Sequence, residues 1–325
     1  MESFHYLIIR PPREESLDGG DSSVIILAMA TFLFVTDLHG NRRKYERTLA
    51  LAKELGAFLV VNGGDMFPHV RVHDDQARFV REFLDPHFAQ YQAEGIRHLG
   101  FPANDDLRAH DPLYEATCGK YPLVENLAGR RITIGPFDFI GMNLVTDFPF
   151  RLKDRARMDR RDSVFPPQFG GGILSLPGGW EEIPDWPSYA RTIPTIEEEL
   201  SRLPEPRDPA HAVYVLHGPP SGLGLDVCRG GAAVGSATTR AFLEKRQPLL
   251  SLHGHIHESP DESGVWMALV GRTVCIQPGQ SAGGLTVVVG DLETMKFDRR
   301  NLDIDSQPSG DSGGGASGIS GAPPR

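Results

Sequence analysis

Short clusters of aspartate, histidine and asparagine recur in one order along this chain, each after an apolar run. They are Asp37-Leu38-His39-Gly40, Gly63-Gly64-Asp65, Asn104-Asp105, and His217-Gly218 followed by Gly254-His255-Ile256-His257. Together they supply about eight metal-ligating side chains, the number needed by a pair of divalent cations that share one carboxylate. Carboxylate, imidazole and a neutral amide suit Mn, Fe, Zn or similar ions. Asp65 has two oxygens and can bridge, Asn104 adds an oxygen without charge, and Gly63 and Gly64 leave a tight turn uncrowded. Taken singly the pieces have simpler readings. Asp37 and Asn104 fit helix caps, Gly63-Gly64-Asp65 a turn, and His217 a loop histidine. Alternating His255 and His257 seldom serve packing. The joint occurrence in order, each after a strand, points to metal-assisted hydrolysis.

Such clusters need elements that bring them together. Thr31–Thr36 reads as a strand, followed by a helix from about Arg42 to Leu55 with Asn41 as N-cap and Gly56 as its stop. Strand Ala57–Asn62 leads to Gly63. A long helix is expected to open near Asp74, with Phe79, Val80, Phe83 and Leu84 at helical spacing and a kink or split at Pro86. Strand Ile96–Leu99 precedes Asn104, and another helix is expected from about Asp106. Arg131–Ile134 and Phe137–Val145 read as a hairpin around Gly135-Pro136. Strand Ala212–Leu216, helix Ser236–Arg246, strand Leu249–His253 and strands from Val265 to about Phe297 follow. Alternating βα units that give way to β-only segments predict an α/β fold of two mixed sheets packed face to face, with helices outside. Ligands in such folds gather beyond the carboxyl ends of strands. Residues i and i+2 of a strand share a side. Asp37 with His39, and His255 with His257, are therefore each expected to reach one cation together.

The formal charge of −10 disfavours nucleic acid, whose backbone is held by clustered lysine and arginine. Cys118, Cys228 and Cys275 are odd in number and widely spaced, which fits isolated thiols in a cytoplasmic protein. The longest apolar run, Val24 to Val35, is about a dozen residues, whereas a bilayer span needs about 20. Ala28-Met29-Ala30 mimics a signal-peptidase site, but an acidic stretch precedes it, so no targeting signal is expected. Residues 1–30 read as an extension outside the fold, with Met29 an alternative start. Residues 31–300 form the domain, and 301–325 a disordered Ser/Gly/Pro tail. Residues 146–195 interrupt the βα pattern, rich in Pro, Gly, Trp and Phe, with arginines from Arg151 to Arg161. An insertion of this length is either a lid or a solvated surface segment whose arginines pair with Asp154, Asp159 and Asp162.

The clusters resemble the D-x-H, G-D, G-N-H-[DE], H and G-H-x-H pattern of the calcineurin-like metallophosphoesterase family, over about residues 31–298. The stretch from Ser236 to Glu258, with His217-Gly218-Pro219-Pro220 and Asp226, is similar to the branch related to cyclic-nucleotide phosphodiesterases. The resemblance implies a four-layer α/β/β/α sandwich. It also implies one cation on Asp37, His39, Asp65 and His257, and a second on Asp65, Asn104, His217 and His255. The chain departs from the pattern at Ala103-Asn104-Asp105-Asp106, where Asp105 replaces the family's leaving-group histidine. Gln277-Pro278-Gly279 stands where relatives often have N-P-G, and reads as a structural turn.

The expected activity is that of a metal-dependent phosphohydrolase, a phosphodiesterase or phosphatase acting on a small phosphate ester. Two cations about 3.5–4 Å apart lower the pKa of a bridging water, so that no protein nucleophile is needed. Three accounts of the leaving-group proton follow. Asp105 is protonated by burial; His110 reaches in from the next helix; or a good leaving group needs no donor. Asp105 as a helix N-cap, with Asp106 in the first turn, is the purely structural account. The competing function is a catalytically weak interaction module of the same fold.

Overall fold

Alternation along β1 (Thr31–Val35) sets the layers. Phe32 and Phe34 are buried in one core and Leu33 and Val35 in another, as expected when a period of two is covered on both faces. In this computed structural model, which describes residues 31–304, β1 lies inside a six-stranded sheet. Its order is β16 (Lys296–Asp303), β15 (Gly284–Asp291), β1, β2 (Leu59–Asn62), β3 (Arg97–Gly100) and β4 (Val124–Asn126). Strands β1 to β4 run parallel, while β15 and β16 are antiparallel additions. A second six-stranded sheet has the order β13 (Met267–Val270), β14 (Thr273–Ile276), β12 (Leu250–Leu252), β11 (Ala212–Leu216), β6 (Phe137–Met142) and β5 (Arg131–Ile134). It is parallel except at its two edge pairs.

The helices are α1 (Arg42–Glu54), α2 (Asp75–Phe79), α3 (Asp85–Glu94), α4 (Asp111–Cys118), α5 (Trp186–Ala190), α6 (Ile196–Arg202), α7 (Ala237–Arg246) and α8 (Ser259–Ser263). Between the sheets, Phe32, Phe34 and Val61 meet Phe139, Val215 and Leu252. Leu33 and Val60 pack outward with Tyr45 and Leu49 of α1 and Phe88 of α3. Ile140 and Tyr214 pack outward with Ile196 and Leu200 of α6. The result is the expected four-layer α/β/β/α sandwich. None of the helices described is long and apolar enough to cross a membrane. The N-terminal extension with Met29, and the tail beyond residue 304, lie outside the described residues.

Asn41 caps α1 as expected, its side chain accepting from the Lys44 N–H. The helix that opens near Asp74 is split ahead of Pro86, as expected. A π-helical turn over Val80–Leu84 joins α2 to α3, and Pro86 sits in the first turn of α3, where a missing N–H costs least. The helix expected near Asp106 begins at Asp111, after a 3-10 turn over Arg108–His110. Asp106 points inward and accepts the N–H groups of Met66, Phe67 and Ala103. That pins residues 103–107 as an irregular loop, so neither Asp105 nor Asp106 caps a helix. Strand β16 runs to Asp303, past the expected domain end at 300, because Leu302 pairs with Leu285.

The 146–195 insertion builds its own small core from Ala156, Met158, Ile183, Trp186 and Ala190. Its strands are β7 (Val145–Thr146) with β8 (Ala156–Arg157), and a hairpin of β9 (Gly172–Leu176) with β10 (Gly179–Ile183). It clasps the segment that carries Asn104 and Asp105. Arg108 N–H donates to Asp154 Oδ2 (2.9 Å), Ala109 N–H to Ser175 Oγ (2.9 Å), and Arg155 Nε to the Ala103 carbonyl (2.9 Å). Only part of the surface pairing anticipated for its arginines is present. Arg160 meets Asp162, whereas Asp159 accepts from Ser236 and Thr238.

Candidate metal centre

The loop after β1 and the loop after β2 are zipped together by backbone hydrogen bonds. Asp37 N–H donates to Gly64 O, His39 N–H to Asp65 O and Gly40 N–H to Met66 O, each at 2.9 Å. Along this seam the backbone is forced into the left-handed region. The φ angles are +56° at Asp37, +42° at His39, +48° at Asp65 and, on the facing loop, +72° at His255. Non-glycine residues adopt such angles at a cost, so their gathering marks a place where side-chain direction outranks backbone comfort. Asp37 and His39 therefore reach the site from a strained loop and not by strand alternation. Gly64 is required in the same seam: at φ +115°, a Cβ there would lie 2.6 Å from Ala103 Cβ and 2.7 Å from His217 Nδ1. Ala103 stands outside the left-handed set, which explains why alanine is tolerated in place of glycine.

Two sets of donor atoms converge on a shared Asp65, and a third, His39, His69 and Asp105, lies beside them. Asp37, His39, Asp65 and His257 each offer one atom within 4.8 Å of the others, and so do Asp65, His217 and His255. Asp65 belongs to both. In the first set, His39 Nε2 faces His257 Nε2 at 3.0 Å, and His257 Nε2 lies 3.4 Å from Asp37 Oδ1. In the second, His217 Nε2 is 3.4 Å from Asp65 Oδ2 and 2.9 Å from Asn104 Oδ1, which adds Asn104 to the group. His217 Nδ1 is 2.7 Å from the Gly63 carbonyl, which fixes the ring's direction. His255 and His257 fall in different sets, as the family resemblance implies and contrary to the i, i+2 expectation. Their loop leaves β12, and the left-handed turn at His255 aims the two rings apart.

The electrostatics fit cations. Burial would raise Asp37, but the facing His257 and His217 outweigh it and hold its carboxyl at about 2. Burial would likewise raise Asp65, yet His217 and His39 hold it well below the usual range. Burial would lower His217 and His257, but Asp65 and Asp37 lift each to about 9. Burial lowers His39, and burial with the nearby His217 pushes His255 down to about 4. Two buried carboxylates are thus balanced by two protonated imidazoles, positive charge that divalent cations can replace.

The proposed proton donors separate. His110 turns away, with Nε2 2.9 Å from the carbonyl of His73. Asp105 stays at the rim. Its N–H donates to Asp65 Oδ1, its Oδ1 accepts from Asn104, and its side chain is 39% exposed, so it is not the buried carboxyl that the first account of the leaving-group proton required. The sequence reading missed His69. Its ring stacks on His39 with centroids 4.1 Å apart, and its Nδ1 lies 3.3 Å from Asp105 Oδ2. The hydrogen bond and charge of Asp105 raise His69 above the ordinary imidazole value, against the effect of burial. Its signal was the short spacing after Asp65 in Gly64-Asp65-Met66-Phe67-Pro68-His69. The buried Gln76 ties this loop to the next, donating to the carbonyls of Pro68 and Asp105.

A second set of amides braces the histidine loop. Gln277 donates to the Ile256 carbonyl and accepts from Gly279 N–H. Gln280 N–H donates to the His257 carbonyl at 3.0 Å. Gln277-Pro278-Gly279 is therefore a brace behind the histidine loop as well as a turn.

Comparison with known proteins agrees with this architecture. The solved structure of TT1561 from Thermus thermophilus has 16% identity and a TM-score of 0.51, covering 84% of this chain and 99% of that one. A dimetal phosphatase from Danio rerio has 11% identity and a TM-score of 0.47, covering 85% and 96%. At 16% identity the likeness to TT1561 is one of fold. A comparison with curated proteins yields no significant match. The sequence model for calcineurin-like phosphoesterases aligns with residues 30–259, a span holding every donor described above, and the chain accordingly belongs to the calcineurin-like phosphoesterase family.

Proposed function

We propose that this chain is a metal-dependent phosphohydrolase acting on a small phosphate ester, with diesters favoured over monoesters. Asp37, His39, Asp65 and His257 hold one divalent cation, and Asp65, Asn104, His217 and His255 a second. The observation that carries this reading is the sharing of Asp65 between two converging donor sets. When bound, the cations supply Lewis acidity towards the phosphoryl oxygens and acidify a water nucleophile near neutral pH. His69, exposed and held by Asp105, gives its proton to the departing oxygen in place of the family's missing histidine. Asp105 orients that ring, and His110 supports the loop from behind. Cys118, Cys228 and Cys275 are unpaired, which supports a reducing, cytoplasmic setting. The interaction-module alternative has less support, because every expected donor converges.

The test is to strip the full chain with chelator, reload it with manganese, and measure uptake and turnover of bis-p-nitrophenyl phosphate. Two ions per chain and manganese-dependent turnover are expected, with His257→Ala abolishing activity. Failure to take up stoichiometric metal would remove the basis of the proposal.

A further inference from the structure

Behind the candidate metal centre lies a buried lysine that none of the chemistry above uses. Lys44, in the first turn of α1, is 5% exposed. Burying an ammonium costs stability unless its donors are met, and a cation in a helix's first turn is disfavoured by the dipole. The helix itself therefore gains nothing from Lys44. Among the described residues its ammonium meets oxygens of the loop after β14 and no carboxylate. Nζ donates to Gln280 Oε1 at 3.2 Å and to the Ser281 carbonyl at 2.6 Å. Gln280 is buried as well, and it reaches in two directions. Its Nε2 donates to the Thr36 carbonyl at 2.9 Å, and its backbone N–H to the His257 carbonyl at 3.0 Å. The Thr286 N–H of β15 fixes the amide, donating to Gln280 Oε1 at 2.9 Å.

The two ends of this relay share one property. Thr36 immediately precedes Asp37, and Asp37 and His257 belong to the first donor set and not to the second. The second set has other supports: His217 is aimed by the Gly63 carbonyl, and Asn104 lies against His217 and Asp105. From this arrangement we infer that Lys44 and Gln280 are positioning residues that lock the Asp37 loop to the His257 loop, so that the first cation site is aimed as a unit and the second separately. The inference rests on the metal-dependent reading for its cations and adds which residues behind the ligands serve which cation. Charge and position make opposite demands here. If Lys44 acted through charge alone it would repel cations, and its removal would tighten their binding. As part of the lock, its removal weakens the first site.

The test titrates the full chain with manganese in two single-site backgrounds, His217→Ala, which keeps the first site, and His257→Ala, which keeps the second. Lys44→Met and Gln280→Met retain apolar bulk while removing the relay from either end. In the first background each should weaken manganese by about tenfold or more, and in the second by less than about twofold. Tighter binding in Lys44→Met, or equal weakening in both backgrounds, overturns the assignment. A second measurement needs no metal. In the metal-free chain either variant should quicken hydrogen exchange at the amides of residue 280 and Asp37, which join the two loops to their neighbours. The His217 amide, bonded to the Met142 carbonyl, should exchange as before. Unchanged exchange at all three amides also overturns the lock. A wild-type chain that takes up no manganese, with this exchange pattern intact in the variants, overturns the metal-dependent reading instead and leaves the lock between the loops standing.

Discussion

At the scale of single residues, His69 is the side chain on which the proposed chemistry turns. It does not occupy the position of the family's histidine in the sequence, yet it stacks on His39 and is held by the Asp105 that took that position. A positioned acid is worth about 10²–10⁴ in rate, and most where the leaving group is poor. His69→Ala should therefore lower kcat on an alkyl phosphodiester by about 10²-fold or more, yet barely change p-nitrophenyl ester turnover. Asp105→Asn should show the same selectivity more weakly. Steady-state kinetics on the two esters decide it, and an equal loss on both would show that His69 serves only structure. Gly64 is a residue-scale constraint of another kind. Its positive φ and the absence of space for a Cβ predict that Gly64→Ala costs about 1–3 kcal/mol of stability, measurable by denaturant unfolding.

At the scale of elements, the centre is a set of loops locked to one another. The Gln277 amide links β14's trailing turn to the histidine loop, bonding both Ile256 O and Gly279 N–H while fully buried. Gln277→Leu would leave both groups without partners, at about 1–3 kcal/mol each. Manganese affinity should fall by about 10–100-fold, since partners behind the ligands govern their aim. Metal titration checks this, and unchanged affinity would show that the loop holds its shape without the brace. The insertion is locked in the same manner. Asp154 accepts from Arg108 N–H and from Ser175. Asp154→Ala should speed amide hydrogen exchange in 103–111 and 146–195 together, as expected of a clasp and not of an independent surface segment.

For the molecule as a whole, the titrations fix how stability follows pH. In the metal-free protein His217 and His257 titrate at about 9, above the ordinary 6.5. Their contribution is complete below pH 6.5 and is lost as pH rises through about 9. Burial lowers His87 to about 4, His98 to about 3 and His253 to about 4. These three favour the fold above pH 6.5 and withdraw that support as pH falls towards 4. Asp37, at about 2 against 3.8, gives way only in stronger acid. The melting temperature of the metal-free chain should thus peak near pH 6.5 and fall on both sides. Saturating manganese should flatten the alkaline limb, as cations take the place of the two protons, with about two protons released per chain at neutral pH. Calorimetry over that range, with and without metal, tests both statements.

Sequence alone carried the layer order and the names of the converging donors. Alternating βα units that give way to β-only segments report two sheets with helices outside, and a histidine or aspartate beyond a strand end is legible one segment at a time. Several other features were settled only in three dimensions. The left-handed turn that carries His255 and His257 into different donor sets, as the resemblance implied, is visible only there. Asp106 turned inward to three backbone N–H groups and abolished the expected helix start. His69 entered the site from a loop that no periodicity marks, and the insertion clasped residues 103–111. Each of these depends on which loops the two sheets set side by side, and so on hydrogen bonds between residues far apart in the chain, for which short-range pattern holds no record.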